Sequence, residues 1–377
     1  MHFSIDVKDM HRAIHVLSVS AKLNTTDIPG RVLITASEEG VRFLASSVES
    51  AVTIDIDNAK VEQPLKISVL YSTLRSFVNS FSPWDGEFGA KTFVFSLLDK
   101  SLKIDVDNFF PNGKKVKGFL KLSTFDTYTI PEPPPFKQAS FILNSSLIKT
   151  ATNKVIYAID PKESRPNLQG MSVRFNEDLI SFAGTDGLML SEYKIKNISN
   201  MKEGSYIIGH SFIMGLRRLL SDEDQVLFEL DKNTIKAKFS NICYWGRLII
   251  GQTYPEYAAE LDKFSNEVVI NKEILLSCLK PFIGLLNKED NSRLRIKLED
   301  GQLTLKNEHA EFVYDKALNS KEILNIDVNG TFMLNTVDAI KDDELYLRFS
   351  DSTGHLIFDS YNFKDQKALI TPIKYRG

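Results

Sequence analysis

Cysteine is nearly absent: the 377 residues hold two, Cys243 and Cys278, without any C-x-x-C spacing. Two thiols cannot make a disulfide framework, and they fit a reducing, cytosolic environment. Long apolar runs are missing as well. The opening MHFSIDVKDMHRAIH carries a polar or charged residue every two or three positions, and no stretch approaches the roughly 18 apolar residues of a membrane span. Neither a secretory leader nor a spanning helix is expected. Positive charge is not in excess, since 46 Lys and Arg face 49 Asp and Glu, for a net charge of -3. Nucleic-acid binding by bulk charge is therefore excluded, and any such contact must be local. With 43% hydrophobic and 25% charged residues, 19 Gly and 13 Pro, the composition is that of a folded globular protein. The length predicts two to four domains at about 100 to 200 residues each.

Signatures of catalysis are also lacking. The one Gly-Lys pair, Gly113-Lys114, is followed by Lys115, so there is no G-x-x-x-x-G-K-[ST] phosphate loop. The basic run NGKKVKG at 112–118 has the charge to touch phosphates, but a basic surface loop is the favoured reading. His11 and His15 stand one helical turn apart, but Arg-Ala-Ile between them lacks the glutamate of H-E-x-x-H. The pairs Asp55/Asp57 and Asp105/Asp107 share a side of their strands, as a cation site would need, yet alternation alone produces such pairs. No G-x-S-x-G elbow occurs, and neither cysteine has a locally placed histidine. No enzyme, metal site or cofactor is expected.

What the chain does contain is a repeat. FSIDVKDMHRAIHVLS from Phe3, FILNSSLIKTATNKVIY from Phe141 and VVINKEILLSCLKPFIG from Val268 each read as a short strand, a polar cap and a helix. The same pattern recurs within each third, from Leu65, Ser205 and Leu324, giving six half-units. Alternating segments such as GVRFLA, TFVFSLL and QVLFELD follow the helices and predict half-buried antiparallel strands. Short polar turns in TFVFSLLDKSLKIDV and LYLRFSDSTGHLIFDS predict hairpins. PEPPPFKQ at 131–138 reads as an extended linker. The predicted architecture is α+β, strand-rich, in three tandem domains of 1–136, 137–263 and 264–377.

The helices have two faces. Leu70, Leu74, Phe77 and Phe81 form one apolar stripe, and Met10, Ile14 and Leu17 another, each suited to packing on a sheet. Lys8, Arg12, His15, Val19 and Lys22 fall on a second, mostly basic face of the first helix. Arg75, Lys149, Arg217, Arg218, Lys272, Lys280 and Lys341 extend this to at least one cation per half-unit. A solvated outer face explains any one of them. Repeated around an arc of helices, they would line a channel suited to a polyanion.

Four motifs in order, ESRPNLQG at 163–170, GTDGLML at 184–190, YPEYAAEL at 254–261 and ALITPIK at 368–374, make the whole chain resemble the bacterial DNA polymerase III beta subunit, the sliding-clamp family. The resemblance implies a DNA clamp fold and a head-to-tail homodimer, six domains in a ring with helices lining the hole and sheets outside. Its implied role is to encircle double-stranded DNA and tether the replicative DNA polymerase, with a clamp-loader ATPase to open it. It also implies a partner-peptide pocket at Leu168, Thr185, Gly187, Leu188, Met189, Leu190, Pro255, Ala259, Ile370, Thr371, Pro372 and Ile373. DNA contacts are implied at Arg12, Lys22, Arg75, Lys149, Arg165 and Arg217, and a dimer interface at Ile104 and Val106 against Leu285 and Leu286. A core role for these last four fits the residues equally well. Leu188-Met189 stands where the family commonly has His-Arg, and Lys-Tyr-Arg-Gly follows Ile373, which reads as a divergent copy of the kind a phage encodes for its own polymerase. A repeat scaffold that never encircles DNA, or an accessory nuclease or ligase using the aspartate pairs, are the other classes. Clamps of the proliferating cell nuclear antigen type carry two domains per chain, whereas three repeats favour the dimer.

Overall fold

A computed structural model describes residues 2–21, 30–86, 88–111, 113–125, 127, 139–199, 201, 203–282, 284–286, 292–314, 322–351, 353–363 and 365–373. The expected linker at 131–138 and Lys22 lie outside them. The described chain runs through six blocks, each a strand, a helix and three strands. The first is β1 (His2–Asp6), α1 (Val7–Leu17), β2 (Arg31–Ser37), β3 (Gly40–Ser46) and β4 (Ser50–Ile56), followed by the two-residue β5 (Lys60–Val61). The second is β6 (Leu65–Leu70), α2 (Tyr71–Val78), β7 (Gly89–Leu98), β8 (Ser101–Phe109) and β9 (Lys115–Ser123). The third is β10 (Ala139–Asn144), α3 (Ser145–Val155), β11 (Gly170–Phe175), β12 (Leu179–Thr185) and β13 (Met189–Lys196). The fourth is β14 (Gly204–Gly209), α4 (His210–Leu219), β15 (Gln225–Leu230), β16 (Thr234–Phe239) and β17 (Ile242–Arg247). The fifth is β18 (Asn266–Asn271), α5 (Lys272–Leu279), β19 (Arg293–Glu299), β20 (Gln302–Lys306) and β21 (Glu311–Tyr314). The sixth is β22 (Leu324–Asn329), α6 (Gly330–Ala339), β23 (Glu344–Phe349), β24 (Leu356–Ser360) and β25 (Gln366–Ile370).

The strand-to-helix step has a local cause. Each leading strand ends on a residue that starts the helix, and three of these accept backbone hydrogen bonds in its first turn: Asp6 from Lys8 N at 2.7 Å, Asn271 from Ile274 N at 3.1 Å, and Asn329 from Thr331 N at 3.0 Å. Satisfying these donors is worth about 1 kcal/mol per cap. The apolar stripe of α1 is buried as its spacing predicts, with Met10 and Leu17 at 0% exposure, and Leu74 on α2 is equally dry.

Pairing follows one rule three times. The leading strand of a block bonds not to its own followers but to the first strand after the next helix: β1 to β7, β10 to β15, β18 to β23. The exchange is reciprocal, β6 to β2, β14 to β11 and β22 to β19. Each pair of blocks thus makes two half-sheets.

The chain divides into two compact units, one of residues 1–145 with 218–247, the other of 146–217 with 248–377. In the first, β10-β15-β16-β17-β4-β3-β2-β6 form one eight-stranded sheet, and β5-β1-β7-β8-β9 form a five-stranded one. In the second, β14-β11-β12-β13-β25-β24-β23-β18 form eight strands and β21-β20-β19-β22 four. Strands from both sides of residue 136 therefore share one sheet, and strands from both sides of residue 263 share another. The joints are β4 on β17, with Ile54 opposite Ile242, and β13 on β25, with Met189 opposite Ile370.

Ile54 and Ile242 are 0% and 3% exposed, so the first joint is packed as well as hydrogen-bonded. Ile54→Ala should cost about 2 to 5 kcal/mol, the range for emptying such a site, seen as a lower urea midpoint at unchanged slope. A destabilisation under about 1 kcal/mol would show that the joint is not held by this packing.

Candidate partner site and nucleic-acid face

Among the expected pocket residues, the second unit gathers most around the turn between β12 and β13. Asp186 accepts from Leu188 N and Met189 N, both at 2.8 Å, while Thr185 Oγ1 donates to the Met189 carbonyl at 2.6 Å. Gly187 stands at φ +87, and a Cβ there would collide with the Arg165 guanidinium. The positive φ is what favours glycine, since the flexible end of Arg165 can shift. The turn lifts Leu188 into solvent at 57% exposure. The chain beyond β25 is pinned to it, since Thr371 donates to the Leu188 carbonyl from its backbone N at 2.8 Å and from Oγ1 at 2.9 Å.

Beneath this surface the remaining positions are dry. Leu168, Thr185, Met189, Leu190 and Ile370 are 0 to 6% exposed, and Leu168 and Leu190 pack with Tyr254, Tyr257 and Leu369. They form the floor, and they are not open to a ligand as the chain stands. The open margin is Gly187, Leu188, Pro255 and Ala259, with Thr371, Pro372 and Ile373 half-buried. The reason for the 254–261 segment's shape lies in its two tyrosines. Tyr254 donates to the Ala183 carbonyl at 3.3 Å and Tyr257 to the buried Glu192 Oε1 at 3.0 Å, which turns Pro255 and Ala259 outward. Burial raises both phenol pKa values far above the ordinary range, aided at Tyr257 by the Glu192 charge.

Arg165 lies on the loop before the short turn Pro166–Leu168, not on a helix. Its guanidinium reaches Glu163 Oε1 at 2.9 Å and the Asp186 carbonyl at 3.0 Å, so it braces the Gly187 turn. Hydrogen bonds from Arg165, and then from Ser164, pull the Glu163 pKa down to about 2.

The other expected DNA contacts among the described residues sit on helices. Arg12 is exposed on α1 and donates to Asn241 Oδ1 at 2.8 Å. Arg75 is exposed in the last turn of α2. Lys149 on α3 and Arg217 on α4 are half-buried. Lys272 has a different task, donating to the carbonyls of Asp338 and Ile340 at the end of α6, where a cation meets the negative end of the helix dipole.

A family model for the DNA polymerase III beta subunit, central domain, matches residues 142–256. The beta sliding clamp of Chlamydia pneumoniae is 26% identical over 62% of this chain and 65% of its own length. That of Halalkalibacterium halodurans is 20% identical over 99% of this chain and all of its own. The crystal structure of the DNA polymerase III subunit beta from Pseudomonas aeruginosa superposes with a TM-score of 0.88 across the full length of both chains at 17% identity. The middle of the chain thus matches the beta subunit family of DNA polymerase III, and the whole chain has the fold of the bacterial sliding clamps. A Helicobacter pylori beta clamp bound to a DNA ligase peptide shares the fold as well, with a TM-score of 0.82 at 18% identity over 99% of this chain and all of that one. The first relative's alignment spans just under two thirds of its own length.

Two of the four expected interface residues lie inside the sheet. Ile104 and Val106 are 0% and 3% exposed because they take the inward positions of β8, so their side chains are core and offer nothing to a second copy. Leu286 is partly buried against the core of the second unit, and Leu285 is 39% exposed. Three of the four paired carboxylates have local partners: Arg42 grips Asp55 at 2.6 Å, Lys103 meets Asp105 at 2.7 Å, and Lys115 meets Asp107. His11 Nε2 donates to the Phe81 carbonyl at 2.7 Å. Among the described residues no group of three or more His, Cys, Asp or Glu could hold a metal, and no helix is long and apolar enough to cross a membrane. Sequence reasoning missed the Glu163–Arg165–Asp186 brace and the inward tyrosines; the spacing of three between Tyr254 and Tyr257 was the available signal.

The Glu163 pKa, about 2 in the folded chain against an ordinary 4.5, is depressed, so its contribution is present above the unfolded value and lost as pH falls through the folded one. The Glu163 carboxyl resonance should titrate near pH 2 and move back toward 4.5 in Arg165→Ala. A native midpoint near 4.5 would show that the brace does not form in solution.

Proposed function

We propose that the chain works as a DNA sliding clamp in which two copies, head to tail, close a ring around duplex DNA. The reading rests on one observation about strands. In each block whose last strand finds a partner, that strand forms a joint: β4 with β17 and β13 with β25. The last strands of the second and fifth blocks, β9 and β21, hold the same position and, among the described residues, are the terminal strands of their sheets. Pairing β9 of one chain with β21 of another repeats the existing joint, and doing so twice closes the assembly with neither of these edges left open.

The edges suit the pairing. Val116 and Phe119 on β9 are 57% and 60% exposed, and Val313 on β21 is 48% exposed. β9 carries Lys115, Lys117 and Lys121, and β21 begins with Glu311. Leu285 would flank this pairing. Each chain would then contribute three domains, 1–136, 137–263 and 264–377, and the two closed chains six.

A topological tether needs little affinity. Weak contacts from Arg12, Lys22, Arg75, Lys149, Arg165 and Arg217 to phosphates would leave the ring free to slide, so a net charge of -3 poses no contradiction. Polymerase held on the ring gains effective concentration at the primer end. The protein is in this reading a non-catalytic processivity factor of the cytoplasm, and opening it falls to a clamp-loader ATPase, since the sequence carries no phosphate loop. The exposed Leu188, Pro255 and Ala259 above a dry apolar floor would receive apolar side chains of an extended tail from the replicative polymerase or the loader.

Light scattering should give about 85 kDa, twice the 42.7 kDa of one chain, and loaded protein should stay on nicked circular DNA and leave once it is cut. A persistent monomer, or equal retention on linear DNA, would sink the ring. For the pocket, Leu188→Asp should weaken an apolar-tailed polymerase peptide at least about tenfold by anisotropy, while shifting stability by no more than about 0.5 kcal/mol. Unchanged affinity would remove Leu188 from the site.

A further inference from the structure

The outward face of the five-stranded sheet carries a pattern that the peptide site does not use and whose β9 margin alone, Phe119 with Lys115, Lys117 and Lys121, borders the proposed edge pairing. Leu102, Ile104 and Val106 point inward and are 0 to 3% exposed, so Lys103, Asp105, Asp107 and Phe109 of β8 point outward. Their cross-strand partners on β9 are Lys121, Phe119, Lys117 and Lys115 in that order. Lys91, at the irregularity in β7, joins the same surface, with its ammonium 5.4 Å from the Phe109 ring and 4.5 Å from Trp84.

Two aromatic rings there are each bracketed by two lysines. Phe109 has Lys91 at 5.4 Å and Lys115 at 5.2 Å; Phe119 has Lys103 at 5.2 Å and Lys121 at 6.0 Å. Phe119 is 60% exposed, a large apolar ring in water with ammonium groups beside it. Phe109 lies four residues along β8 from Asp105, the partner of Phe119, so the two platforms are about 13 Å apart. Five lysines stand on this face against Asp105 and Asp107, in a chain whose net charge is negative.

We propose that this sheet face binds single-stranded nucleic acid, with bases stacking on Phe119 and Phe109 and the flanking lysines meeting the phosphates. Antiparallel sheets displaying aromatic rings among cations recognise unpaired bases in this way, because every base has a face to stack and every linkage a charge. A duplex hides its base faces and would gain only the charge term. An acidic protein segment would use the lysines but leave the rings unused, so the rings favour the nucleic acid.

The test uses the full chain, without a loader, and a fluorescein-labelled oligothymidylate of about 20 nucleotides, long enough for a site of this class. The single strand should bind about tenfold or more tighter than a linear duplex of the same length. Phe119→Ala should weaken the single strand about tenfold and leave the duplex unchanged. Lys103→Gln with Lys121→Gln should reduce the salt slope by about 0.7 for each phosphate no longer neutralised. Light scattering on Phe119→Ala separates this face from the β9 edge, since a retained dimer with weakened strand binding supports the face alone. Equal affinity for single strand and duplex, or an unaffected Phe119→Ala, overturns the proposal. Binding of an oligoglutamate peptide with none of the oligothymidylate does so too, and assigns the face to an acidic protein partner.

Discussion

The backbone pairing of β4 with β17 and of β13 with β25 is the constraint on which the rest depends. A half-sheet of four strands leaves a row of unpaired amides and carbonyls along one edge, and such an edge is satisfied within the protein only by another strand. In each unit one joint turns two such edges into the middle of an eight-stranded sheet. Because the leading strand of every block has already crossed to the neighbouring block, the joint ties together segments far apart in sequence, as with Ile54 and Ile242. The same rule leaves β9 and β21 terminal, and it is from their position in the repeat, not from any side chain, that the closed dimer is argued.

The candidate partner site grows from one of these joints. Met189 and Ile370 face each other across β13 and β25, and both are buried because they are core of the joined sheet. Just beyond them the strand pair ends, the Gly187 turn puts Leu188 outside, and Thr371 closes onto it. A floor built from sheet and a margin built from a braced turn give a preformed surface, of the kind that would need little rearrangement to bind a peptide. The brace is electrostatic: Arg165 serves Glu163 and the turn together, which is why a residue expected on DNA is also structural.

Much of this was legible in the residues. The stripe Met10, Ile14 and Leu17 is dry, Asp6, Asn271 and Asn329 cap the helices they precede, and the hairpin between β7 and β8 turns at Asp99, whose φ of 51 a polar turn residue tolerates. Ile104 and Val106, which fitted core and interface equally well, are buried, a choice left open because a period of two defines two faces without saying which is wet. Lys272 looked like a surface cation by spacing, yet its ammonium is spent on the end of α6, a contact between helices that no local pattern encodes. Tyr254 and Tyr257 belong to a segment without strand alternation, so only their spacing of three pointed to a shared inward side.

The sequence by itself determined the six-fold repeat, the strand–helix–strand grammar of each block, the α+β class and the resemblance that names the family, because caps, periodicity and turn residues act over a few neighbours. Tertiary structure decided which strands exchange between blocks, which face of each strand is core, and which of the matched pocket residues remain open. These depend on hydrogen-bond edges meeting across long stretches of chain, and a strand's edge is chemically the same whatever its sequence until a partner lies beside it.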